Sequence, residues 1–282
     1  VTKESDVSTE ILPATPPTEP PAQEGQPPKK KRRGWLIALI IVGVLLVLAV
    51  VAFVVADLVA KNYARDYVRA QVIEVLQLPE DSRVDVDLGG GSILLQALAG
   101  RVQTVDVDVP DVSLGTLSGD LSLHGEGVPL DSMKPVETLG IEFGIGADDL
   151  AALGDGGDQA PVYAFDGEDV TLSSEFELFG ATVPWGLSLT PSAEAGDLVL
   201  TPTSLTLGSQ TFEADDADDS FWGQIVSALL QPQTLCLKSS VPQALTLAEA
   251  SVDDEQVLLR FDGSGQALGG EAFQAPGTCP AS

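Results

Sequence analysis

Hydrophobic and polar positions divide this chain into stretches with different periods, and each period predicts a different element. Residues 1–34 have no period, with seven prolines between Pro13 and Pro28 and few large apolar side chains. Such a segment buries too little surface to offset its ordering entropy, so a disordered cytoplasmic tail is expected. Trp35–Ala56 is then an unbroken apolar run of 22 residues. As a helix it is roughly 33 Å long, enough to cross a hydrocarbon core. From Asp57 to Gln77 apolar residues recur at helical spacing (Ala60, Tyr63, Ala64, Tyr67, Val68, Val72, Val75), and Leu78-Pro79 ends the pattern.

Beyond Pro79 the period becomes 2. Val84, Val86 and Leu88 alternate with Arg83, Asp85 and Asp87; Val105, Val107 and Val109 alternate with Asp106 and Asp108. The alternation returns at Leu121–His124, Ile141–Ile145, Val170–Leu178, Val183–Leu189, Leu198–Leu200, Leu245–Leu247 and Val257–Phe261. Apolar residues alternating with polar or acidic ones predict antiparallel strands with one buried and one wet face. Ala147–Leu153 and Phe221–Leu230 read as short helices, and Gly89–Gly91 and Gly154–Gly157 as turns or flexible rims. Ser92–Leu98 is an apolar segment between two strands, open to two readings: a core-packing turn, or a mobile lip that touches acyl chains. The expected fold is α+β, a long amphipathic helix packed on a curved antiparallel sheet or on two sheets, preceded by one transmembrane helix.

Lys29-Lys30-Lys31-Arg32-Arg33 stands directly before the apolar run. A positive flank resists translocation, which places residues 1–34 in the cytoplasm and 57–282 outside the cell membrane. A cleaved signal peptide is the alternative, with Val54-Val55-Ala56 as its cleavage site, but the run exceeds the usual h-region. The extracytoplasmic domain is set at 57–265 and a C-terminal tail at 266–282.

Charge then narrows the partners. The chain carries 14 Lys and Arg against 42 Asp and Glu; taking away the 6 and 5 in residues 1–56 leaves 8 against 37 outside. A surface this acidic repels nucleic acid and anionic headgroups, so lipid contact must use apolar surface. Cys236 and Cys279 are both outside and read as a disulfide that ties back the tail. His124 is the only histidine and no CxxC occurs, so no metal site and no cofactor are expected. Its place in an alternating run marks a strand surface position, and no GxSxG, HExxH, P-loop or dinucleotide fingerprint accompanies it. Asp155–Asp158 and Asp215–Asp219 offer oxygen ligands without the spacing of a calcium loop, and are read as solvated loops. No enzymatic activity is expected.

Ala64-Arg65-Asp66-Tyr67 through Leu78, then Arg83–Leu88, a glycine-rich turn, Leu94–Gly100 and Val105–Val109, resemble the actinobacterial LmeA-like phospholipid-binding family. Ala147-Asp148-Asp149-Leu150 and the stretch from Cys236-Leu237 to Pro242–Leu245 extend the likeness. In the turn after the first strand the family often has a glycine, an apolar residue and Pro-Phe, where this chain has Gly91-Ser92-Ile93-Leu94. The resemblance implies a tubular lipid-binding (TULIP-like) fold and non-catalytic binding of phospholipids or lipid-linked glycans in the cell envelope. On that reading the candidate lining is Tyr63 and Tyr67 on the helix, Ile93, Leu94 and Leu95 on the lip, and Val105, Val107, Leu121 and Phe143 on strands. The competing reading is a solid, β-rich scaffold domain of an envelope complex.

Overall fold

The computed structural model describes residues 33–114, 117–152, 160–178, 180–213 and 230–280. The proline-rich tail to Arg32, both acidic loops and the expected helix over 221–229 lie outside the described residues. The chain divides into two compact units, Val1–Val51 and Ala52–Ser282. In the first, the described residues belong to helix α1 (Arg33–Leu76), and their large apolar side chains are exposed from Leu39 onward. Leu39–Leu76 of this helix is long and apolar enough to cross a membrane, and none of the described residues buries its most apolar stretch.

Among the described residues, the second unit contains the rest of α1 and two antiparallel sheets of six strands each. In sheet 1, β1 (Asp85–Gly89), β2 (Arg101–Leu114), β3 (Leu117–Pro129) and β4 (Thr138–Gly146) form a meander. The hairpin of β11 (Thr246–Asp253) and β12 (Gln256–Asp262) completes it, with β12 beside β4. Sheet 2 is a second meander of β5 (Val162–Asp166), β6 (Asp169–Leu178), β7 (Ala181–Glu194) and β8 (Asp197–Leu207). The free edge of β8 is capped by β9 (Gln210–Glu213) and β10 (Gln233–Leu235). α3 (Ala147–Ala152) follows β4, and α4 (Glu271–Gln274) lies in the C-terminal segment.

Alternation in sequence becomes rows across the sheets. One row of sheet 1 runs Val86, Val107, Leu123, Ile141, Phe261, Leu247; the next runs Val109, Leu121, Phe143, Leu259, Ala250. The opposite face carries Asp87, Asp106, His124 in one row and Asp85, Asp108, Ser122, Glu142, Arg260, Glu249 in another. A one-residue slip would exchange these two faces, so burial fixes the register. Pro110 and Asp111 occupy the irregularity between β2 and β3, where a ladder donor is dispensable. The β11–β12 turn takes Asp254 and Glu255 to φ 46° and 62°, as a tight two-residue hairpin turn requires.

Sheet 2 packs its apolar rows, including Val170, Phe165, Tyr163 and Leu172, into the same core as sheet 1. The amphipathic part of α1 meets that core through Val68, Val72, Ile73 and Leu76. Arg69 Nη2 donates to Ser82 O at 2.9 Å and Arg65 pairs with Asp87, which fixes the helix alongside β1. The α+β expectation therefore holds, with two sheets sharing one core. Cys236 and Cys279 are bonded, and backbone bonds from Gln243 N to Ala275 O and from Ala244 N to Ala272 O also hold the C-terminal segment.

Candidate functional site

The segment Ile93–Ala99 is helix α2, which neither the turn reading nor the lip reading of Ser92–Leu98 anticipated. Ser92 is its N-cap, accepting from Leu95 N at 3.3 Å, and Gly100 closes it at φ 76° in the left-handed region that favours glycine. The preceding Gly90 and Gly91 also have positive φ, 83° and 94°, so the chain turns sharply out of β1. Gln96 is 4% exposed, the one buried polar side chain among the described residues. Its Nε2 donates to Gly89 O at 2.9 Å and its Oε1 accepts from Gln103 N at 2.7 Å, so burial leaves its amide satisfied. Asp57 on α1 completes the tethers, accepting from Ser92 Oγ at 2.7 Å and Leu94 N at 3.0 Å.

The candidate lining residues separate into three groups. Val107, Phe143 and Ile93 are buried, the first two in the shared core. Val105, Leu121 and Leu94 are half-buried, and the first two pack beside that core. Tyr63, Tyr67 and Leu95 face outward, 74%, 61% and 57% exposed, and stand apart from the inner face. The helix column containing Val68 and Val72 meets the sheets instead, because only one side of α1 is turned toward them.

Sheet 2 carries apolar surface that was not singled out as a site. Its inner rows run Phe165, Val170, Leu189, Pro202 and Tyr163, Leu172, Leu187, Leu205, Phe212. Leu205 and Leu230 form a second buried cluster against which Leu187 and Phe212 pack. Past these rows the cover from the described residues thins: Trp185 and Val183 are half-buried, and Phe176 and Leu207 are exposed. The signal was the alternation Val183, Trp185, Leu187, Leu189. The opposite face is a hydroxyl ladder, with Thr171, Ser188 and Ser204 in register.

Two hollows lie elsewhere. One, of about 310 Å³, sits on the wet face of sheet 1 among Asp106, Asp108, Ser122, His124, Glu142 and Arg260. His124 Nδ1 is 2.6 Å from Asp106 Oδ1, which raises the imidazole above its ordinary pKa chiefly through that hydrogen bond. Ser122 Oγ donates to Asp108 at 2.7 Å, not to the imidazole, and Arg260 joins Glu142 and Glu249. This is cross-strand pairing of a charged face, and among the described residues no serine is aimed at the histidine. The other hollow, about 480 Å³, lies between α3 and β5 and includes Tyr163, Phe165 and Glu255. Among the described residues no three His, Cys, Asp or Glu side chains converge as a metal site.

The sequence model of the LmeA-like phospholipid-binding family matches residues 55–262. No curated protein and no solved structure matches the chain. The matched span takes in the amphipathic part of α1, α2, the whole first sheet and the whole second meander, which is most of the sequence. This chain belongs to the LmeA-like phospholipid-binding family.

Proposed function

We propose that the protein is anchored in the cell membrane by its N-terminal helix and, on the extracytoplasmic side, holds or transfers phospholipid or a lipid-linked glycan. The observation that carries this reading is the apolar face of sheet 2, which the described residues cover incompletely: Phe176 and Leu207 are 37% and 40% exposed beside half-buried Trp185 and Leu187. An acyl chain laid along this face gains about 0.8 kcal/mol per buried CH₂. A few methylenes therefore suffice for useful binding without a cationic grip on the headgroup. That suits a domain whose outer face is acidic and whose cations are largely paired. Val107 and Phe143 stay buried in the shared core.

The test is lipid extraction from the purified full chain, followed by mass spectrometry, for wild type and Leu187→Asp. Both proteins keep the same anchor and its surrounding lipid, so the difference reports the face. Lipid carried in excess by the wild type supports the proposal. Equal lipid in two folded proteins favours the scaffold reading, in which the acidic ladder of sheet 1 is the working surface.

A further inference from the structure

The two ends of sheet 1 differ in chemistry. At one end are the β11–β12 turn, the end of β2, the start of β3 and α3, with exposed Asp253, Asp254, Glu255, Asp111, Asp120 and Asp148. At the other end β1 finishes, β2 begins after α2, β3 runs into β4, and β12 leads to the C-terminal segment. Here the turns expose large apolar side chains: Leu98 86%, Leu95 57%, Leu130 58%, Met133 67% and Leu268 37%. These belong to one rim. Leu130 N donates to Gly100 O at the end of α2, and Gly269 N donates to Ser132 O at 2.8 Å. Three acids of this rim are engaged, Glu137 with Arg101, Asp131 with Lys134 at 3.7 Å and Asp262 with Ser264, while Glu271, just after Leu268, is exposed.

Asp57 belongs to the apolar end. It is the first polar residue after the apolar run that ends at Ala56, and its carboxylate holds Ser92 Oγ and Leu94 N. If the run spans the membrane, Asp57 stands where the helix leaves the hydrocarbon, and α2 is one hydrogen bond away from that depth. We infer that this rim dips into the outer leaflet, with Leu95, Leu98 and Leu130 among the acyl chains. The inference rests on the anchored reading proposed above. Interfacial helices bury their apolar side about 5–10 Å into the headgroup and acyl boundary, which a seven-residue α2 lying along the surface can match. An acidic domain is repelled by anionic headgroups, so apolar insertion at the rim is the contact open to it. The acidic end then points away from the membrane.

The test uses the full chain reconstituted in vesicles of phosphatidylcholine and phosphatidylglycerol. Spin labels are placed singly at Leu98→Cys, Leu46→Cys within the apolar run, and Asp254→Cys at the acidic end, leaving the native disulfide intact. Accessibility to oxygen and to a water-soluble nickel chelate gives the depth of each label. The inference expects the Leu98 label to be oxygen-rich and several-fold less accessible to nickel than the Asp254 label. A water-exposed Leu98 label beside a Leu46 label in hydrocarbon overturns the rim contact and leaves anchorage standing. A water-exposed Leu46 label overturns anchorage and the rim contact together. A Leu98 label shielded from both reagents marks burial against protein, which also overturns it.

Discussion

Truncating the two neighbouring faces of α2 separates a structural side chain from a surface one. Ile93 is 7% exposed and Leu95 is 57% exposed, although both are aliphatic and only two residues apart. Ile93→Ala removes a buried aliphatic group and leaves a cavity, a change that costs about 2–5 kcal/mol. The upper half of that range is expected. α2 is held by its Ser92 and Gly100 caps, by both ends of the Gln96 amide and by Asp57, so it cannot slide to fill the space. Leu95→Ala deletes a side chain that keeps most of its surface in water, and a surface change of that kind stays within about 0.5 kcal/mol. Urea unfolding of the detergent-solubilised chain measures both, at a common slope. The midpoint should drop sharply for Ile93→Ala and hardly move for Leu95→Ala. Equal losses, or a larger loss at Leu95, would refute the orientation assigned to α2 and with it the exposed rim.

The Cys236–Cys279 bond closes a loop with a sequence separation of 43 residues, worth up to about 4 kcal/mol in the chain-entropy model. Cys279→Ser should therefore lower the melting midpoint while the domain still folds, since Ala272 and Ala275 remain bonded to Ala244 and Gln243; an unchanged midpoint would count against the bond. His124 binds its proton more tightly in the folded state, because Asp106 accepts from it and Glu126 adds to the attraction. Its contribution to stability is thus complete below about pH 6.5 and fades as the pH rises through the higher folded-state value. NMR titration of this single imidazole should give a midpoint above 6.5 that moves back in Asp106→Asn; a wild-type midpoint at or below 6.5 contradicts the pairing.

Most of the strands were legible because one face is apolar and the other polar: Val105–Val109 and Ile141–Ile145 could not hide their period. β5 escaped because its alternation is confined to Tyr163 and Phe165, and β9 and β10 are only four and three residues long. α2 carried a Ser cap and a Gly stop, yet seven mainly apolar residues have no polar face from which to read a period. On α1 two adjacent columns are apolar, Tyr63 and Tyr67 in one and Val68 and Val72 in the other. Sequence alone does not say which column meets the sheets, since that depends on the partner's position. The exposed part of sheet 2 was hidden for a related reason: Trp185 and Leu187 alternate identically whether the face above them is filled or bare.

The central claim is that the apolar face of sheet 2 holds an acyl chain. A phospholipid bearing a photoactivatable group on its acyl chain, added to vesicles containing the full chain, tests it directly. After irradiation and digestion, adducts should map to β6–β8 around Trp185, Leu187 and Leu207 as well as to the apolar run of α1. Leu187→Asp should abolish the first set and spare the second. Adducts confined to residues 35–56, in wild type and variant alike, would contradict the account.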